Sequence, residues 1–421
     1  MHRAAAAAPK LAPTVASALL TPCGSAVALR FGERQAADTF PLSWLWANAP
    51  AHQDASTNQH MLGAAARALP PALQSVGVEA GGLVVAWRGG ARHAFPAAFL
   101  HRHRLSEEAL RADLALSAPQ PLPQTQAEVP AFAFDDLLRA GAPPASRPAL
   151  ALLGALNRGG IALVRGCPTE DPRAVVRLAQ RLAPVMHTIY GESFEVSVQA
   201  QPINVAYTSG ALALHQDLAY YESPPGLQLL LCREFSRGVQ GGESTFACGL
   251  AAAEALRRED PQAFATLCRV PTTFQKVHYA RAQPVHMVTA RPIVALGRQW
   301  GGEGPVTAVF WAPPFEGPLR VPLADVAPYY AAYRAFAALL AQIEAGERPG
   351  LLQFRLAPGE AVVFNQRRVL HGRRAFAGQG ALRRVLQGCY VHADEWMSAL
   401  RCAEGPEQST AHARTGNQQL W

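Results

Sequence analysis

The sequence predicts an α+β protein: a small β-rich domain, then a larger one in which helices flank an antiparallel sheet sandwich or barrel. Three observations carry this reading. The chain has 421 residues, 49% of them hydrophobic, enough for a sizeable core in one large domain or two ordinary ones. Its first hundred residues break into short strand patterns separated by turns. Beyond residue 130, helical and strand patterns mix without the regular βαβ alternation of a doubly wound sheet.

In chain order, residues 1–22 hold no acidic residue, are rich in Ala and carry His2, Arg3 and Lys10. They read as an N-terminal extension, either a transit peptide or a disordered Ala-rich leader. The expected location is cytoplasmic, or mitochondrial if residues 1–22 are a transit peptide. Residues 23–105 read as the small β-rich N-terminal domain, with strands Ala26–Phe31, Gly82–Trp87 and Arg92–Phe95; the last two flank the turn Trp87-Arg88-Gly89-Gly90-Ala91. Residues 106–130 are expected to be a linker, because 117–130 is Pro- and Gln-rich and nearly uncharged. The second domain, 131–402, shows helical patterns at 148–157, 171–182, 249–258 and 324–345. Its strand patterns fall at Ile161–Arg165, 227–232, 360–364 and 383–392, and residues 403–421 form a tail.

Composition excludes several function classes. No run approaches 18 apolar residues, so no membrane-spanning helix is expected. Seven cysteines are scattered and never form Cys-x-x-Cys, which argues against a disulfide framework or a thiolate zinc cage and favours a reducing, intracellular compartment. The net charge of +7 comes almost wholly from dispersed arginines, since Lys10 and Lys276 are the only lysines in the sequence. Nucleic-acid binding needs a clustered patch, so no nucleic-acid partner is expected.

The chemistry is concentrated in two segments. His215 and Asp217 sit at i and i+2 at a strand end, where extended backbone points both side chains to one face and toward one metal ion. Imidazole plus carboxylate is two thirds of the facial triad of non-haem Fe(II) oxygenases. The sequence holds two further His-x-Asp triplets, at His52 and His392. Only His215 has the downstream context: 358–374, PGEAVVFNQRRVLHGRR, gives a turn, an apolar strand and then His371. The second histidine of such a triad must come from another strand alongside the first, and His371 suits that place. Arg384 opens the next strand and shares a face with Tyr390, six residues on. An arginine facing inward beside a metal would be an unpaired buried charge unless a dicarboxylate co-substrate satisfied it.

These segments resemble the γ-butyrobetaine/trimethyllysine hydroxylase family of Fe(II)- and 2-oxoglutarate-dependent dioxygenases. The resemblance rests on HxD, FxxxRxLHGRR, RxLxGxY, NVAYTSG, HQDLAYYESPPGLQLLLC and GGES, and covers about 160–400 closely and 25–104 loosely. It implies a double-stranded β-helix (jelly-roll) catalytic domain, with Fe(II) bound by His215, Asp217 and His371. It implies 2-oxoglutarate held by Arg384, with Asn204 and Ser244 nearby, O2 as oxidant and ascorbate as reductant. Family members cage a trimethylammonium group in aromatic rings, and the matching positions are Tyr190, Phe194, Tyr207 and Tyr390. The implied partner is a small molecule with a quaternary ammonium, and the implied assembly a homodimer.

This sequence departs from the family at several places, among them the cage, where Phe194 stands for an indole and Leu218 for a tyrosine. Family members often carry an N-terminal zinc site of three cysteines after a Trp-Leu pair plus a later histidine. Here Trp44-Leu45-Trp46-Ala47-Asn48 leads to no cysteine, so no structural zinc is expected, and His93, near the histidine's place, is expected to be an ordinary surface residue. Trp311-Ala312-Pro313 replaces an Asn-Asn pair that helps bind the substrate carboxylate, and Asn365-Gln366 replaces Asp-Asn. The leading expectation is hydroxylation of γ-butyrobetaine to L-carnitine. The alternatives are hydroxylation of trimethyllysine or another small amino-acid derivative, and a non-catalytic protein that binds 2-oxoglutarate or metal.

Overall fold

The structure, a computed structural model, describes residues 13–32, 36–116, 118–139, 146–198, 207–297, 304–378 and 383–405. The chain divides into two compact units, Met1–Ala115 and Leu116–Trp421.

The first unit holds two three-stranded antiparallel sheets. One joins Val15–Leu20, Ala26–Phe31 and Asp38–Pro41; the other joins Leu73–Glu79, Gly82–Trp87 and Arg92–Phe95. Strand alternation buries Val27, Leu29 and Phe31 from the first sheet with Leu83, Val85 and Trp87 from the second in one core. Two segments differ from the sequence reading. Val15–Leu20, inside the expected extension, is a strand paired along Ala26–Phe31, with Val15 buried. Glu107–Leu116, inside the expected linker, is a helix. Its two N-terminal glutamates suit the positive end of the helix dipole, and it buries Ala109 and Leu110. His93 is not a surface residue. It lies 7% exposed, accepts a 3.3 Å hydrogen bond at Nδ1 from Trp87 Nε1, and stacks edge-on against His52 with centroids 4.4 Å apart. Trp46 closes the cluster from the other side, 4.7 Å from His52 and 5.2 Å from His93.

The second unit stacks four layers. A six-stranded sheet runs in the order Ala131–Ala133, Ile161–Arg165, Ala361–Asn365, Leu227–Phe235, Arg384–Val391, Phe194–Val196. All its neighbours are antiparallel except the first pair. A four-stranded sheet runs Leu212–His215, Val369–Arg373, Ser244–Cys248, Leu351–Phe354. Between them, Leu230, Phe364 and Leu386 of the first sheet share a core with Phe246, Leu352 and Phe354 of the second. Burying each such side chain contributes about 1.5–3 kcal/mol. Helices Arg147–Gly159, Ala174–Gln180 and Ala393–Glu404 cover the outer face of the first sheet. Gly249–Glu259, Pro261–Arg269 and Leu323–Ala345 cover the second. The α+β class is as the sequence predicts.

A hairpin, Pro271–His278 with Val285–Pro292, projects from this frame. Its base is fixed where Phe274 bridges to Glu316 and packs beside Tyr220 and Tyr390.

Candidate active site

His215 and His371 stand opposite each other on neighbouring antiparallel strands of the smaller sheet, with ring centroids 4.3 Å apart. Asp217 follows just past the strand end. Its Oδ1 lies 3.5 Å from His215 Nε2 and its Oδ2 lies 3.8 Å from His371 Nε2. One ligand atom from each residue falls within 4.8 Å of the others. Two imidazole nitrogens and a carboxylate so placed can close on one divalent ion and leave its far side open.

His215 and Asp217 are each held in place by neighbours. His215 Nδ1 lies 2.8 Å from Ala213 O. A carbonyl only accepts, so Nδ1 carries the proton and Nε2 presents its lone pair to the site. Gln228 Nε2 and Tyr390 Oη each donate to Asp217 Oδ2 at 2.8 Å. The Gln366 side chain clasps the Asp217 backbone, accepting from its N–H at 3.2 Å and donating to its carbonyl at 3.1 Å. Directly after Asp217, Leu218 adopts a left-handed φ of 55°, a conformation that costs a residue with a Cβ about 1–2 kcal/mol.

Burial by itself would raise the Asp217 carboxyl, but the two imidazoles beside it and the Tyr390 hydroxyl outweigh it and hold it below the usual carboxylate range. Burial and then the neighbouring His215 push His371 down to about 3, so it stays neutral and its nitrogen stays available. Metal ligands need these protonation states.

The three residues line one cleft. Arg384 lines it too and is 4% exposed, with its guanidinium pushed down to about 10 by burial and by nearby Arg373. Among the described residues its one hydrogen bond runs from Nε to Gly242 O at 3.2 Å. Gly242, at φ 75°, is where a Cβ would press on the arginine stem. Ser244 faces Arg373 across paired strands, and both line the cleft. Tyr190, Phe194, Tyr207 and Tyr390 all line it, with Phe194 stacked on Tyr390 at 5.0 Å. The Arg384–Tyr390 strand thus delivers both residues to one face, as their even spacing requires. Asn204 lies outside the described residues.

The structure separates other parts of the motif from the site. Arg367 is buried and donates from Nε to the carbonyls of Pro224 and Pro225. Arg368 is likewise buried and donates from Nη1 to Arg158 O. Trp311 packs into the helical core beside Tyr333 and Phe336. Its carbonyl accepts from Gln216 N at 2.7 Å, so its backbone steadies the metal-binding turn. Gln228, Gln366 and Arg373 are residues that the sequence reading did not assign. Arg373 was reachable, since it follows His371 at i+2; the two glutamines are brought in only by tertiary pairing.

A family model described as taurine catabolism dioxygenase TauD, TfdA family matches residues 121–390, more than half of the chain. The chain belongs to this family. It is 36% identical over 242 residues to a gamma-butyrobetaine dioxygenase of Pseudomonas sp. (strain AK-1), covering 57% of this chain and 58% of the relative. It is 28% identical over 373 residues to a gamma-butyrobetaine dioxygenase of Pongo abelii, covering 86% and 90%. It is 29% identical over 244 residues to a mitochondrial trimethyllysine dioxygenase of Gallus gallus, covering 58% and 54%. The chain thus spans little more than half the length of the first and third relatives. Within the TauD/TfdA match fall all three metal-binding candidates, Arg384 and the four rings.

Proposed function

We propose that this TauD/TfdA family member is an Fe(II)- and 2-oxoglutarate-dependent dioxygenase that hydroxylates a small betaine-like substrate, with γ-butyrobetaine to L-carnitine the leading reaction. The observation that carries the reading is a single cleft combining three metal-binding side chains, a buried arginine and four aromatic rings. The activities of the relatives support it.

The donor set fits a divalent iron: two imidazoles and a carboxylate on one side, none of them thiolate. Bound there, iron supplies the activation of O2 that couples oxidative decarboxylation of 2-oxoglutarate, to succinate and CO2, with oxygen insertion into a C–H bond. The chain's own residues supply position. His215 and His371 present Nε2, and Tyr390 and Gln228 restrain Asp217 so that its carboxylate cannot rotate away. Arg384 takes the distal carboxylate of 2-oxoglutarate, with Ser244 beside it. Tyr190, Phe194, Tyr207 and Tyr390 surround the quaternary ammonium, where cation–π attraction gives roughly 0.5–2 kcal/mol per good ring. Leu218, Leu230 and Leu386 give the cleft apolar walls that exclude water from the reacting bond. In this reading the two packed sheets are the faces of a double-stranded β-helix, the first unit is a separate β-rich domain, and the assembly is a homodimer.

The test is succinate formation by purified protein with Fe(II), ascorbate and 2-oxoglutarate, with and without γ-butyrobetaine, the product read by mass. Stimulated succinate and a product heavier by one oxygen are expected. No succinate under either condition would overturn the reaction class. Unstimulated succinate would move the substrate to trimethyllysine, a second reading favoured by the absence of an amide at Trp311-Ala312.

A further inference from the structure

The hairpin Pro271–His278/Val285–Pro292 brings two cations to the aromatic end of the cleft. Phe274 is fully buried beside Tyr220 and Tyr390, and Lys276, two residues on, shares its strand face. Lys276 Nζ lies 5.6 Å from the centroid of Phe315, a ring that lines the cleft. Arg281, in the hairpin loop, sits 5.4 Å over the ring of Tyr190 and donates from Nη2 to Ile189 O at 2.9 Å. Among the described residues Lys276 makes no hydrogen bond and no ion pair. It is half-buried, and burial and then the charge of Arg281 lower its pKa. A desolvated ammonium beside a second cation is an unfavourable arrangement until an anion joins it.

Among the described residues Asp217 is the one carboxylate lining the cleft, and its oxygens are already engaged by Gln228, Tyr390 and the imidazoles. The missing anion must therefore arrive with a ligand. A simple quaternary cation in the cage would be repelled by Lys276 and Arg281. A zwitterion with its carboxylate at the hairpin would turn that repulsion into attraction.

We propose that Lys276, assisted by Arg281, is a specificity-determining residue that binds the carboxylate of a zwitterionic substrate whose ammonium occupies the ring cage. The pair does the work that Trp311-Ala312 cannot do, since Trp311 turns into the helical core. This inference rests on the proposed function and narrows it. An amino acid such as trimethyllysine would set its α-ammonium beside these cations, so a betaine without an α-amino group fits better.

The test measures binding by calorimetry to full-length protein loaded with Mn(II) and 2-oxoglutarate, so that no turnover occurs. Three ligands are compared: γ-butyrobetaine, its methyl ester, and 5,5-dimethylhexanoate, which keeps the shape and carboxylate but has a carbon in place of the charged nitrogen. Wild-type protein is expected to bind γ-butyrobetaine about tenfold more tightly than the ester, the scale of one charge-assisted contact. Lys276→Met should weaken both carboxylates about tenfold and the ester hardly at all, while Lys276→Arg should retain the wild-type order. If Lys276→Met changes acid and ester alike, or neither, the inference is overturned; so too if neither carboxylate binds wild-type protein. If γ-butyrobetaine fails to bind but 5,5-dimethylhexanoate binds and is weakened by Lys276→Met, the betaine reading falls and the anion site stands. The Lys276→Arg protein also controls for folding, because it keeps the stem that packs on Phe315.

Discussion

At the scale of single residues, the metal candidates were legible because their chemistry is written in spacing. An even interval places His215 and Asp217 on one face, and the same rule joins Arg384 to Tyr390. Lys276 was not legible: a lone lysine on a strand acquires meaning only when the hairpin folds it against Phe315. His93 was misread because its burial depends on Trp46 and His52, both distant in sequence. Arg384 carries a direct prediction. Among the described residues it makes one hydrogen bond, from Nε to Gly242 O, and it lines the cleft, so its terminal nitrogens can take a carboxylate bidentately. Arg384→Ala should raise the KM for 2-oxoglutarate by about 10–100-fold, the loss of a charge-assisted pair, while the KM for the hydroxylated substrate changes little. Steady-state kinetics with each substrate varied in turn decides it; an unchanged 2-oxoglutarate KM moves the anchor to Arg373.

At the scale of elements, strands and helices with clear periodicity fell where the pattern put them, within a few residues at their ends. Two did not. Val15–Leu20 was obscured by its Ala- and Pro-rich surroundings, although it pairs along almost its whole length. The Glu107–Leu116 helix was overshadowed by the Pro-rich stretch behind it. The Arg384–Val391 strand explains its own glycine: a Cβ on Gly388 would run into the ring of Phe194. Gly388→Ala should therefore cost about 1–3 kcal/mol of stability and displace Phe194 from Tyr390. A thermal melt reads the first effect, and an increased Kd for γ-butyrobetaine with unaltered 2-oxoglutarate binding reads the second. The hairpin base carries a pH dependence. Burial raises Glu316 to about 7 against an ordinary 4.5, opposed in part by the Tyr333 hydroxyl. Above pH 4.5 the unfolded chain gives up this proton while the folded chain keeps it, so its contribution to stability falls as pH rises to about 7. Melting temperatures of wild type and Glu316→Gln, compared from pH 4.5 to 7.5, should diverge in that window in favour of the variant as pH rises.

At the scale of the whole molecule, the α+β class was legible from composition and pattern. The order of strands was not, because the sheets pair segments that lie far apart in the chain, such as Ile161–Arg165 with Ala361–Asn365. The first unit gathers the rings of Trp46, His52, Trp87 and His93 in one cluster. His52 and His93 are both lowered below 6.5 by burial, and His52 is lowered further by the charge of His60 and His93 by that of His52. Both are neutral when folded and free to protonate when unfolded, so the stability of this unit is complete above about pH 6.5 and is lost as pH falls below it. Tryptophan fluorescence of Trp44, Trp46 and Trp87 during thermal unfolding should show a transition that drops between pH 7 and 5. His93→Phe should flatten it, and a chelator should leave it unmoved; a chelator-induced drop would place a metal in the cluster after all.

The facing of His215 and His371 across one antiparallel pair also bears on how such a protein can diverge. A single codon gained or lost within either short strand would swing one imidazole to the opposite side of its sheet. The loop that joins Pro271–His278 to Val285–Pro292 carries no such register and can lengthen or shrink. Insertions and deletions can therefore rewrite which molecules enter the cleft while the reading register of two short strands keeps the reaction the same.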